Sequence, residues 1–275
     1  MRPSPDIRRR LTAIGKLAPV DVALTKTALI LAAAERPAIN PVPYYRHLEG
    51  LAEEVGAYAG DGDLAMRAEA LRSVIARRYG YAGADDAYED AENANLMRVI
   101  DRRQGLPALL AIIYIHVARA LGWTMDGLDF PPRMLVRLDG DGERLILDPF
   151  DGAIELGPRQ LRDMLKAVAG PHVELAPEHT RAMDNRQILV RSRRNVKILH
   201  LRADRLDEAL EAIEAVLLFA PTEAPLWRES GILNARADRV SEAVTALEVY
   251  LRHAGGDPSR YRATLLLQEL RQRLI

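Results

Sequence analysis

Apolar residues along this chain recur mostly at helical spacing. From Leu17 to about Arg36 the run "VDVALTKTALILAAAERP" is dense in Ala and Leu and stops against Pro37, which predicts a helix ended by proline. "NPVPYYRHLEGLAEEVGAYAG" follows, with Pro43 near a helix start, Leu48, Leu51 and Val55 on one face, and a stop at Gly60 and Gly62. A third helix is predicted in "LAMRAEALRSVIARRYG". After the acidic link "YAGADDAYEDAEN", Asn95 is placed to cap a short helix ending at Gly105. Pro107 then opens a long, almost wholly apolar helix that runs toward Gly122.

Beyond Gly122 the period changes. "RMLVRLDGDGERLILDPF" holds two alternating runs around Asp139 to Gly142, the pattern of a β-hairpin. A four-residue loop there would pair Leu138 with Glu143, Val136 with Leu145 and Arg133 with Asp148. One face would then carry Met134, Val136, Leu138, Leu145 and Leu147, and the other Arg133, Leu135, Arg137, Arg144, Ile146 and Asp148. The last third is helical again and repeats itself. "ADRLDEALEAIEAVLLFAP" at 203 matches "ADRVSEAVTALEVYLRHAG" at 237, an offset of 34 residues that keeps Ala209/Ala243, Ala212/Ala246 and Leu217/Leu251 in step. A helical period of 34 is the tetratricopeptide signature, in which small residues let paired helices approach and successive pairs stack.

The 275 residues allow one large domain or two smaller ones, and Lys+Arg 38 against Asp+Glu 39 leaves no basic excess for a nucleic-acid binder. With Cys 0, no disulfide, zinc-thiolate site or cysteine nucleophile is possible. "MRPSPDIRRR" carries charge without an apolar stretch, and no run reaches a membrane span. A cytoplasmic protein with a mobile N-terminal arm is therefore expected.

The ordered combination of "DAENANLMRVIDRRQGLPALLAIIYIHVARALGW", "LDFPPRMLVRL" and "LILDPFDG" resembles the transglutaminase-like bacterial proteins with C-terminal tetratricopeptide repeats, the Sir B family. That resemblance implies an α+β, predominantly helical fold. Its expected parts are an arm over 1–16, a helical head over 17–90, a transglutaminase-like core with a small antiparallel sheet over 91–184, and repeats over 185–275. Active folds of this kind use Cys, His and Asp, because a helix N-terminus and an imidazolium stabilise the thiolate while the carboxylate orients the imidazole. Matching the family motif places Pro107 at the thiol position, Arg133 at the imidazole position and Asp148 at the carboxylate position. Proline has no nucleophile and arginine cannot serve as a base near neutral pH.

The resemblance therefore implies a non-catalytic interaction or regulatory module whose repeat tail, 185–275, contacts a protein or peptide, with no cofactor, metal, nucleic acid or membrane partner. Two alternatives stay open: an amide-processing enzyme using Tyr114 or Asp148 with water, and an anionic-ligand sensor using Arg133 and Asp148. Against the sensor stands a plain structural ion pair between those two residues. His116 lies nine residues past Pro107, on the far side of the helix at about 100° per residue. His172 and His179 lack the spacing and carboxylate support of a metal site. The basic stretch "RQILVRSRRNVKILHLR" reads as the solvated face of a repeat helix, with Ile188, Leu189, Val196, Ile198 and Leu199 inside.

Overall fold

The computed structural model describes residues 3–84 and 88–274. The chain forms helices α1 (Pro5–Gly15), α2 (Leu24–Glu35), α3 (Val42–Ala59), α4 (Leu64–Leu71, continued by a π-helical segment Arg72–Arg78), α5 (Leu96–Arg102) and α6 (Pro107–Ala120). Strands β1 (Thr124–Leu128), β2 (Leu135–Gly140), β3 (Glu143–Asp148) and β4 (Ile154–Glu155) follow, then α7 (Pro158–Ala169) and β5 (Ala182–Met183). Helices α8 (Asn185–Arg202), α9 (Leu206–Phe219), α10 (Ala224–Arg236), α11 (Val240–His253) and α12 (Arg260–Gln272) complete it. Two compact units result. The larger comprises residues 18–192, and the smaller joins residues 1–17 to 193–275.

In the larger unit α6 is the axis of the core. Its residues from Pro107 to Ile115 are all buried, as expected of a helix apolar on every side. Helices α2, α3 and α5 pack against it, as do strands β1 and β2 and the turn Pro149–Asp151. The five strands form one antiparallel sheet in the order β4-β3-β2-β1-β5. Its other face holds Leu128 and Leu135 against Leu161 and Leu165 of α7. Because α2 and α3 pack directly on α6, the expected boundary between a head over 17–90 and a core over 91–184 does not separate two compact units.

Local signals act as the sequence implies at several points. The Asn95 side chain accepts from the Met97 and Arg98 amides, and Pro107 occupies the first helical position of α6. Three readings need correction. The expected helix from Leu17 is interrupted by a 3₁₀ turn at Pro19–Asp21, so α2 starts only at Leu24. The hairpin turns on two residues, Asp141 and Gly142, both at positive φ, which is the primed geometry that matches strand twist. Hence Val136 pairs with Leu147 and Leu138 with Leu145. The shift of two leaves each residue on its expected face, but Asp148 is no longer opposite Arg133, which precedes β2 in a bend.

The third correction concerns the N-terminus, expected as a mobile arm over 1–16. It forms α1, with the Ser4 hydroxyl accepting from the Ile7 amide and Pro5 at the first helical turn. Leu11 is fully buried, and α1 packs on α9 so closely that a Cβ on Gly15 would lie 2.4 Å from the Leu218 carbonyl oxygen. This helix belongs to the smaller unit, whose repeat shows in its turns as well as its helices. Asp204 and Asp238 both adopt positive φ, and the Arg205 and Arg239 amides reach back to the His200 and Asn234 carbonyls at 2.8 and 2.9 Å. Gly231 of α10 packs against Leu247 of α11, where a Cβ would approach to 2.6 Å, so a small residue is required there. The smaller unit resumes at residue 193 within α8, whose earlier residues Ile188 and Leu189 are buried in the larger unit.

Candidate functional site

The first turn of α6 is built from Leu106, Pro107 and Ala108, all buried, with Leu106 as an N-cap that makes no side-chain cap bond. One peptide unit ties this end of α6 to the end of β3. The Ala82 carbonyl accepts from the Gly105 amide at 3.4 Å, and the Gly83 amide donates to the Phe150 carbonyl at 2.8 Å. That carbonyl and that amide belong to the same planar group, with O and N roughly 2.3 Å apart. The Gly105 nitrogen and the Phe150 oxygen therefore lie within about 8.5 Å of each other. The segment entering α6 and the turn after Asp148 thus border one site.

Asp148 is fully buried at the end of β3. Its Oδ2 accepts from Arg133 Nε at 2.8 Å and forms an ion pair with Nη2 at 2.6 Å, and its Oδ1 accepts from the Phe150 amide at 3.0 Å. The Arg133 guanidinium lies 5.0 Å from the centre of the Phe150 ring, whose other neighbours are Tyr88 at 6.4 Å and the Gly83 backbone. Burial pushes the Asp148 carboxyl above the usual carboxylate range, while the Arg133 cation and the Phe150 amide pull the other way. Arg72 of the π-helical segment holds the same turn by donating from Nε to the Ala153 carbonyl at 3.1 Å.

The structure thus joins Arg133 to Asp148, though as neighbours across a bend and not as a cross-strand pair. It gives Pro107 a helix-starting role. Tyr114 lies on α6 with its hydroxyl buried and without a hydrogen-bond partner among the described residues, and burial raises its pKa, which unfits it as a base near neutrality. His116 is half-buried, and burial lowers its pKa. His179 Nδ1 accepts from the Ala176 amide at 3.0 Å in a local turn. Among the described residues no group of three or more His, Asp or Glu is arranged to hold a metal ion, and no helix is long and apolar enough to cross a membrane.

Two contributors were missed in the sequence: Gly83, against which the Phe150 ring lies so closely that a Cβ would come within 2.3 Å, and Phe150 itself. A glycine in a polar link and the residue after Asp-Pro were the available hints.

A buried helix whose entry is tied through one peptide unit to the turn after a carboxylate at the end of an antiparallel strand, followed by 34-residue helical repeats, defines a transglutaminase-like core joined to a tetratricopeptide tail. The chain belongs to the transglutaminase-like superfamily: residues 43–194 match its family model, and residues 196–268 match a tetratricopeptide-repeat model. It is similar to a UPF0162 protein of Xylella fastidiosa strain Temecula1, 32% identical over 223 residues covering 76% of each chain. A UPF0162 protein of Vibrio cholerae is 30% identical over 83% of this chain and 86% of its own. Protein SirB1 of Salmonella typhimurium is 27% identical over 60% of this chain and 62% of its own.

Proposed function

We propose that this chain is a catalytically degenerate member of the superfamily, a cytoplasmic protein-interaction or regulatory module that works through its repeat tail. The observation that carries this reading is the occupancy of the site. Leu, Pro and Ala fill the first turn of α6, and the Arg133 guanidinium is paired with Asp148 Oδ2. A thioester needs a thiol or an equivalent nucleophile beside a base, and losing one member of such a pair commonly costs orders of magnitude in rate. The Asp148 carboxylate already offsets the charge of Arg133, which weakens its pull on a second anion and disfavours the sensor reading.

The tail supports the interaction reading. Among its features is a groove of about 510 Å³ lined by Leu217, Trp227, Ser230, Asn234 and Thr245, wide enough for a few side chains of a peptide. Tetratricopeptide arrays generally bind peptides or partner helices on such surfaces. The test is affinity capture from native lysate with the full chain, comparing the wild type with Ser241→Arg and Thr245→Arg, both exposed at this groove. Partners lost in both variants support the reading. A set of partners unchanged in both removes the groove as contact surface, and turnover of an amide substrate that vanishes in Asp148→Asn overturns the non-catalytic assignment.

A further inference from the structure

A polar cluster that the site above does not use is centred on Arg103, the residue that ends α5. Its φ of +63° places a non-glycine residue in the left-handed region, a conformation that persists only where surrounding contacts enforce it. Arg103 Nη1 donates to His47 Nε2 at 2.7 Å and to the Tyr81 hydroxyl, whose oxygen is itself 2.9 Å from His47 Nε2. The guanidinium carbon lies 4.8 Å from the centre of the Tyr81 ring and 5.6 Å from that of Tyr79. The Arg103 carbonyl accepts from the Ala82 amide at 3.1 Å, which fixes the backbone as well.

A guanidinium can only donate, so His47 Nε2 is an acceptor and its ring is neutral, leaving the cluster with the full positive charge of Arg103. Neighbouring arginines have their own carboxylates. Arg36 is on Asp101 at 2.8 Å and Arg78 on Glu54 at 2.8 Å. Those two acids are further engaged by the hydroxyls of Tyr44 at 3.2 Å and Tyr79 at 2.5 Å. Arg103 has no carboxylate partner among the described residues, and its Nε and Nη2 make no hydrogen bond among them. A half-buried guanidinium, held in orientation by two rings, a histidine and a hydroxyl and left with two donors unspent, is a preformed fork for a planar or tetrahedral oxyanion.

We propose that Arg103, held by His47, Tyr79 and Tyr81, binds a small oxyanion, the phosphate or carboxylate group of a ligand. The bound anion would compensate a charge that has no carboxylate partner among the described residues. Because Arg103 also carries the backbone bond to Ala82, occupancy would further stabilise the segment that leads into α6.

The experiment titrates the full chain with sodium phosphate and, separately, sodium acetate, each against sodium chloride at matched ionic strength. Thermal stability and the imidazole NMR signal of His47, assigned with His47→Asn, are followed together. Expected is a saturable rise in melting temperature with one of the two oxyanions. The His47 titration midpoint should also rise from its free value of about 4, which burial and the facing Arg103 set against the pull of Glu54, with the Tyr79 and Tyr81 rings beside it. A response to phosphate alone assigns a phosphate ligand, and one to acetate a carboxylate. Arg103→Gln should weaken binding by about tenfold or more, as expected for a lost charge-assisted pair, with Arg103→Lys intermediate. No response beyond chloride in the wild type, or the same response in Arg103→Gln, overturns the proposal; the wild-type titration decides it even if the variants fold poorly.

Discussion

Replacing Arg133 with alanine would strip the cation from a carboxylate that solvent does not reach. Two guanidinium nitrogens lie 2.6 and 2.8 Å from one oxygen of Asp148, and the other oxygen accepts from the Phe150 amide. At an effective dielectric constant of about 20 the attraction between charges roughly 4 Å apart is about 4 kcal/mol, and breaking a buried pair from one side typically costs about 3–5 kcal/mol. Since 26% of the Arg133 side chain is exposed, the lower end applies, about 3 kcal/mol. For a unit of this size that is a fall in melting temperature of about 6–12 °C. Trp123 lies in the larger unit and Trp227 in the smaller, so urea unfolding followed by fluorescence in a Trp227→Phe background reports the larger unit alone.

The pH dependence gives a second, independent signature. Burial holds the folded Asp148 above its unfolded value, so the folded state binds this proton more tightly. Its contribution to stability is therefore full below the unfolded pKa and lost as pH rises through the folded one. Removing Arg133 raises the folded value further. The deficit of Arg133→Ala should thus be largest at neutral pH and shrink toward pH 4, and adding Asp148→Asn should recover most of it. A deficit below about 1 kcal/mol at pH 7, or one constant from pH 4 to 8, would refute the reasoning.

Gly83→Ala should destabilise the larger unit by about 1–3 kcal/mol in urea, because the new methyl would lie 2.3 Å from the Phe150 ring and the ring must move. Tyr114→Phe should be neutral or mildly stabilising in the same assay, since it deletes a buried hydroxyl with no partner among the described residues; a loss above about 1 kcal/mol would reveal a hidden partner. His47, held down to about 4, should make the wild type lose stability as pH falls from 6.5 toward 4, because the unfolded chain takes up that proton first. That slope should flatten in His47→Asn, and an unchanged slope would place its origin elsewhere.

The features that local physics controls were legible in the chain. Asn95 and Pro107 mark helix starts because orphan amides and a fixed φ demand such residues, and the structure uses both. The 34-residue offset carried even the conformations of Asp204 and Asp238, since each repeat rebuilds the same turn. Strand alternation fixed which hairpin residues share a face, but Asp-Gly occurs twice in succession, so the pattern could not choose the turn, and the register was settled by backbone twist across β2 and β3.

What the sequence determined by itself was therefore the set of elements, their apolar faces, the repeat, and the absence of a thiol. What the tertiary structure decided was who meets whom. Its three charged N-terminal arginines read as a solvated arm, yet α1 buries Leu11 because α9 offers an apolar face more than 190 residues away, a contact no local pattern encodes. The Arg133–Asp148 bond, the Ala82–Gly83 bridge and the Arg103 cluster are likewise products of chain segments far apart in sequence, where the energy of a contact depends on burial and geometry that only the assembled fold supplies.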